Sequence, residues 1–307
     1  MTISVIIPTY NRASLVTATL DSVLAQTRPA DEIWVVDDGS TDDTQAIVTA
    51  YADVHGNRVR YQRQKNAGPS VARNHGMRLT TGTSLCFLDS DDLLDPRALE
   101  LLAEALETEL SAMLAYSRAE MLSPDGNALG LWEPGGGYHQ GDVWESLLGD
   151  NFIRSPGATL IRRTALEAVG SWDEAMRKNE DWNLWLRLAE QGPFVFVDEP
   201  LFRYRVHPSA ASVDVGAMHH ETMRMYGTLR KRYQSDPKRL QTLKRIVREV
   251  QYAEPLYLLA LARVDLRQGR PMAGCWKAVR ALARQPSFLF DPRLKRQLTQ
   301  EWGQKKP

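Results

Sequence analysis

The 307-residue chain is predicted to be an α/β protein with a mainly parallel central sheet followed by a helical C-terminal region, and three observations carry that prediction. Short β-branched apolar runs alternate with stretches of helical spacing. The runs stop at clusters of polar turn residues. From about Gly216 the strand-like runs give way to helical, basic sequence. With 43% hydrophobic and 25% charged residues the composition is that of a globular chain, which excludes wholesale disorder and collagen-like repeats.

The elements follow in order. Ile3-Ser4-Val5-Ile6-Ile7 reads as a buried strand, and Val16, Leu20, Val23 and Leu24 then fall on one helical face. Ile33-Trp34-Val35-Val36 is a second strand, stopping at Asp37-Asp38-Gly39-Ser40 before a helical pattern around Ala46, Ile47 and Ala50. Val59-Arg60-Tyr61 is a weaker third strand. Ala67-Gly68-Pro69-Ser70 opens a helix, and Ser84-Leu85-Cys86-Phe87-Leu88 is a fourth strand, ending in Asp89-Ser90-Asp91-Asp92. Further on, Trp182, Trp185, Leu186 and Ala189 recur at helical spacing before Gly192, and Phe194-Val195-Phe196-Val197 reads as a strand.

In an open parallel sheet, ligands bind beyond the carboxyl ends of the strands, where the strand-to-helix loops gather. Three polar groups therefore converge there: Pro8-Thr9-Tyr10-Asn11-Arg12, Asp37-Asp38 and Asp89 to Asp92. No G-x-G-x-x-G follows the first strand and no G-x-x-x-x-G-K-[ST] occurs, which counts against NAD enzymes and P-loop NTPases. Clustered carboxylates repel one another unless a cation lies among them, and hard oxygen ligands imply Mg²⁺ or Mn²⁺. Asp92 and Asp95 are instead assigned to the start of the helix near Arg97, where the dipole favours acidic residues.

The net charge of zero conceals a division. Residues 1–215 hold 18 Lys/Arg against 31 Asp/Glu, and residues 216–307 hold 20 against 7. These are read as two regions, the second basic and helical, with Pro255 to Ala283 forming a helix pair broken near Gly269-Arg270-Pro271. Lys231, Arg232, Lys238, Arg239, Lys244, Arg245 and Arg248 either form a solvated face or meet anionic lipid or a lipid-linked acceptor. Two cysteines, no apolar stretch near the roughly 20 residues of a membrane span, and no basic n-region at Met1-Thr2-Ile3-Ser4 give the expectation of a cytoplasmic chain, peripheral at the inner face of the membrane if that basic face is used. No nucleic-acid partner is expected.

Val5-Ile6-Ile7-Pro8-Thr9-Tyr10-Asn11-Arg12, Val36-Asp37-Asp38-Gly39-Ser40-Thr41-Asp42, Asn66-Ala67-Gly68-Pro69-Ser70-Val71-Ala72-Arg73-Asn74 and Phe87-Leu88-Asp89-Ser90-Asp91-Asp92 resemble, in order and spacing, the successive motifs of family 2 glycosyltransferases. The likeness covers roughly residues 3–205. It implies a GT-A nucleotide-diphospho-sugar transferase domain over residues 1–215 and inverting transfer of a sugar from a nucleotide-diphosphate donor, UDP- or dTDP-linked, to a saccharide or lipid-linked acceptor. It also implies roles in glycan, polysaccharide or glycolipid assembly. Asp89-Ser90-Asp91 would be the DXD motif, with Asp91 on the metal and Asp89 towards ribose or the metal shell. Asp38 would read the base, Asp37 would orient its loop or contact ribose, and Pro8, Thr9, Tyr10 and Arg12 would form the first nucleotide-binding loop. Arg73 would contact ribose or diphosphate, or form a surface ion pair.

Such transfer needs a base on the acceptor side. Glu180-Asp181-Trp182 is similar to the family's acidic motif, which implies Asp181 as the base with Glu180 and Trp182 beside the acceptor; read without the likeness, the pair would serve as helix-start residues. Leu201-Phe202-Arg203-Tyr204-Arg205-Val206-His207-Pro208-Ser209 resembles the closing segment, with His207 a third metal ligand or diphosphate contact and Arg205 a phosphate partner. Trp132, Gly135-Gly136-Gly137 and Asn151-Phe152-Ile153-Arg154 lie where acceptor segments are expected. The competing readings are a catalytically silent nucleotide-sugar binding module and a sugar nucleotidyltransferase; Glu180-Asp181 argues against the first, the lack of a Gly/Lys-rich pyrophosphorylase loop against the second.

Overall fold

The computed structural model describes residues 1–176, 178–206, 215–267 and 271–284. The first part is built by β-α alternation: β1 (Ile3–Thr9), α1 (Val16–Leu24), β2 (Glu32–Asp37), α2 (Thr44–His55), β3 (Val59–Arg63), α3 (Pro69–Leu79) and β4 (Ser84–Phe87). These four strands are mutually parallel in the order β3-β2-β1-β4. The chain continues through β5 (Leu93–Leu94), α4 (Ala98–Thr108), β6 (Leu114–Leu122), β7 (Ala128–Trp132), α5 (Trp144–Gly149), β8 (Thr159–Arg162), α6 (Arg163–Val169), α7 (Glu180–Ala189) and β9 (Phe194–Arg205). Among the described residues the sheet has nine strands, in the order β3-β2-β1-β4-β8-β6-β9-β5 with β7 beside β6. Beyond β4 it is mixed: β8 is antiparallel to β4 and β6, while β6 and β9 are parallel.

Period-two alternation along β1 sends side chains to both sides of the sheet. Ile3, Val5 and Ile7 join a core with Val16, Leu20 and Val23 of α1 and Leu99, Leu102 and Leu106 of α4. On the other side Ile6 meets α3 so closely that a Cβ on Gly76 would come within 2.4 Å of it, which reserves that helical position for glycine. There Trp172 packs edge-on against both Phe87 and Trp185.

The strand expected at Phe194 to Val197 runs on to Arg205. The pairing with β6 jumps from Ser117↔Val197 to Ala119↔Phe202, so the chain bulges away from β6 and rejoins it. Two compact units emerge, Met1–Leu229 and Arg230–Pro307, the change falling within α8 (Val215–Arg232). The second holds α9 (Pro237–Arg267), which continues through Pro255, and α10 (Pro271–Arg284), with Asp265 and Lys277 paired between them. Cys86 and Cys275 are free, and no helix among the described residues is long and apolar enough to cross a membrane.

Candidate active site

The loops after β1 and β2 are stitched together by short polar side chains. Asn11 sits in the left-handed region at φ 51°, donates its amide to Ser40 Oγ and accepts from the Thr41 amide through Oδ1. Arg12 N donates to Thr44 Oγ1, and Asp38 N to Thr9 O. Gly39, at φ 83°, lies where a Cβ would come within 3.0 Å of Asn66 N, so the third loop can close against the second.

Between these loops and the end of β4 lies a cleft of about 590 Å³. Pro8, Thr9, Tyr10, Arg12, Asp38, Arg73, Asp89, Ser90 and Asp91 all line it, as do Asn66, Glu180, Tyr204 and Arg205. Tyr10 stands 46% exposed at this cleft, and the Thr9 hydroxyl is buried without a hydrogen-bond partner. Asp38 holds the loop after β3: Oδ1 accepts from Gln64 Nε2 and Ala67 N, and Oδ2 from Gly68 N. A carboxylate has about four acceptor positions, so one remains for a ligand N–H.

Asp37 is a different case. It is fully buried and does not line the cleft; Oδ1 accepts from Ser40 N and Oδ2 from the Tyr61 hydroxyl, which is pushed upward by burial and by this carboxylate. Both Asp37 oxygens therefore hold the loop after β2, and neither lines the cleft.

Asp92 also departs from its expected role. Two residues of strand and three more residues separate it from α4, so it cannot serve that helix. Instead it is buried, and Oδ1 accepts from Arg205 N while Oδ2 has no hydrogen-bond partner. Burial, then the charges of Asp91 and Asp89, push its carboxyl well above the usual range. Asp95, by contrast, does accept from Arg97 N just before α4.

Arginines face this acidic group. Arg12 Nε lies 3.1 Å from Asp91 Oδ2. Arg205 donates through Nε to Asp91 O and through Nη1 to Pro124 O, so it is committed to backbone carbonyls at the cleft wall. Arg73 is no surface ion pair: its side chain is 4% exposed, with Nη2 2.8 Å from Asp89 Oδ1, Nη1 3.0 Å from Glu180 Oε1, and its guanidinium 4.6 Å over the Trp172 ring. It thus ties the end of β4 to the start of α7.

Asn179 sets that start. Its backbone is left-handed at φ 56°, and its side chain donates to Thr222 Oγ1 and Met218 O. Asp181 follows in the first turn, accepts from Trp182 N, and lines a second cavity of about 190 Å³ that shares Arg73, Asp89, Glu180 and Tyr204 with the first. Burial, then the Glu180 charge, raise its carboxyl to about 7. Trp182 lines neither cavity: about 200° around the helix from Glu180, its indole N–H donates to Leu147 O and its ring meets Tyr226 edge-on. The acceptor-side position expected for it is on neither cavity wall; its indole packs toward α5 and α8.

His207 lies outside the described residues. Among those described, no group of three or more His, Cys, Asp or Glu side chains is arranged to hold a metal by itself. The oxygen-only pair Asp89 and Asp91, beside the unsatisfied Asp92 oxygen, still suits a hard cation that completes its shell with water and phosphate. The sequence reading gave no role to Asn66, Lys178 or Tyr204. The signal for Lys178 was its place two residues before Glu180, and Asn66 and Tyr204 lay within the third motif and the closing segment; Tyr204 is brought to the site by the register of β9 on β6.

The protein-family model described as glycosyl transferase family 2 matches residues 4–170, more than half of the chain. An uncharacterized glycosyltransferase of Rickettsia felis is 30% identical over 204 residues, covering 66% of this chain and 33% of that protein. Chondroitin synthase of Escherichia coli is 28% identical over 211 residues, covering 69% and 30%. The chain thus spans about a third of the length of these curated relatives. The crystal structure of S. aureus TarS 1–349 in complex with UDP-GlcNAc aligns at a TM-score of 0.65 and 18% identity over 94% of this chain and 91% of that one, a likeness of fold. The fold is thus that of the GT-A glycosyltransferases, and on the family match the chain belongs to glycosyl transferase family 2.

Proposed function

We propose that the protein is a metal-dependent, inverting glycosyltransferase that moves a sugar from a UDP- or dTDP-linked donor to a hydroxyl of a saccharide or lipid-linked acceptor, in glycan, polysaccharide or glycolipid assembly. The observation that carries this reading is the meeting of Asp38, Asp89, Asp91 and Glu180 in one cleft with Asp181 in the adjoining cavity. The UDP-GlcNAc complex of S. aureus TarS and the chondroitin synthase relative support the donor and product classes.

Asp181 removes the proton from the acceptor hydroxyl as that oxygen attacks the anomeric carbon of the donor sugar. It has the means: a raised carboxyl and an opening to the second cavity. Glu180 is occupied by Arg73 and serves to place its neighbour. Asp38 and the Thr9 hydroxyl offer polar contacts to the nucleoside, Tyr10 a face for the base, and Arg12 a positive charge near the diphosphate. Asp91 and Asp89 would hold Mg²⁺ or Mn²⁺, which supplies charge neutralisation to the departing nucleotide. One base and one stabilised leaving group suffice for a single displacement.

The test is a nucleotide-sugar panel with Mn²⁺ or Mg²⁺, reading donor hydrolysis and thermal shift together; no response to any donor would refute the reading. In the same assay Asp91→Ala is expected to weaken metal-dependent donor binding by at least about tenfold, because the ion loses a charged oxygen ligand. Unchanged affinity and metal dependence would remove Asp91 as a ligand. The basic residues of α8 and α9, such as Lys231, Lys238, Lys244 and Arg248, support a further reading as a surface for anionic lipid. Cosedimentation with anionic liposomes should then fall steeply as salt is raised, and indifference to anionic lipid would discard it.

A further inference from the structure

Two arginines near the site stack on aromatic rings, and they differ in what else holds them. Arg73 lies over Trp172 and is ion-paired at both ends. Arg154 lies 4.0 Å over Tyr204 and 5.6 Å over Trp132, but its Nε is buried with no hydrogen-bond partner, and among the described residues it forms no ion pair. Its charge is felt by Asp92 without a bond.

Arg154 lines the second cavity, the one that contains Asp181. Lys178 lines the same cavity, and so does Asn151, whose Oδ1 is also buried without a partner. Buried polar atoms are nearly always bonded in a finished structure, yet Arg73 Nε, Asn151 Oδ1 and Arg154 Nε, on three residues of this cavity, are not, and of the two arginines only Arg154 lacks a counter-charge among the described residues. A guanidinium fixed by two rings presents its planar fork in a set direction, the geometry that recognises carboxylate or phosphate. The Asn151 amide suits a sugar hydroxyl.

We infer that the cavity binds an acceptor saccharide bearing an anionic group, a carboxylate or a phosphate, with that group on Arg154 and Lys178 and the attacking hydroxyl at Asp181. This rests on the glycosyltransferase reading and adds the acceptor's charge to it. Recognition of the anion directs one hydroxyl of the acceptor to the base and disfavours neutral sugars, which would leave Arg154 desolvated and unpaired.

The full chain, saturated with UDP and Mg²⁺, can be titrated with methyl β-glucoside, methyl β-glucuronide and methyl β-glucoside 6-phosphate by ligand-observed NMR. At least one charged sugar should bind about tenfold more tightly than the neutral one, and which of the two does so names the anion. Arg154→Gln should bring that ratio close to one, Arg154→Lys should recover part of it, and Lys178→Gln should lower it in a chain that keeps Arg154. Equal binding of all three sugars, or binding of none, overturns the inference, as does an unaltered preference in Arg154→Gln. Donor hydrolysis by the unsubstituted protein separates the two levels. Its absence defeats the glycosyltransferase reading and this inference with it, whereas hydrolysis without anion preference defeats the inference alone.

Discussion

Asp181→Asn is expected to lower kcat by about 10³-fold while leaving affinity for the nucleotide donor intact. The amide is nearly isosteric, and its Oδ1 can still accept the Trp182 N–H, so the first turn of α7 keeps its geometry. What is lost is the ability to take a proton. Because burial and Glu180 raise the Asp181 carboxyl to about 7, the unsubstituted enzyme should also show kcat/KM falling about tenfold per unit as pH drops below about 7, as the base becomes protonated, and levelling above it. Near-normal turnover in Asp181→Asn, or a limb centred near pH 4, would remove Asp181 as the base. Steady-state kinetics paired with UDP titration separates loss of chemistry from loss of binding.

Arg73→Leu should produce the second large effect, on stability as well as activity. Its guanidinium satisfies Asp89 and Glu180 together and is almost wholly enclosed, so an apolar replacement leaves two carboxylates without their counter-charge. Breaking a buried pair by removing one partner costs about 3 kcal/mol or more, which lowers Tm by roughly 6–12 °C in a domain of this size. Donor turnover should fall with it, because the end of β4 and the start of α7 lose their tie. Arg73→Lys should recover only part of both, since one ammonium cannot reach two carboxylates and lie flat on Trp172. Calorimetry showing an unshifted Tm for Arg73→Leu would contradict this role.

The parallel half of the fold was legible because local signals agree there. β-branched runs, Gly-Pro and Asp-Asp-Gly-Ser turns and helical spacing all mark the same boundaries from β1 to β4, and the sheet edge that gathers their loops follows from topology alone. The residues that fall elsewhere depend on partners distant in sequence. Arg73 meets Glu180 107 positions away, and Asp92 meets the Arg205 amide 113 positions away. Neither pairing leaves a local trace. Asp92 precedes a helix and so resembled a helix-start residue, but β5 intervenes and carries it into the core. Helical spacing showed that Trp182 belongs to α7 without showing which side of that helix meets α5. The motif already placed Asp38 at the base and left Asp37 two roles; strand alternation gives adjacent residues opposite directions, but the partners of each carboxylate, the Tyr61 hydroxyl for Asp37 and the Ala67-Gly68 amides for Asp38, leave no local trace.

The central claim is a single displacement driven by Asp181 across a donor held in the acidic cleft. Proton NMR of the first transfer product, recorded before any mutarotation, tests it most directly. The account predicts an anomeric coupling of the configuration opposite to that of the donor sugar; a product with the donor's own configuration would contradict it.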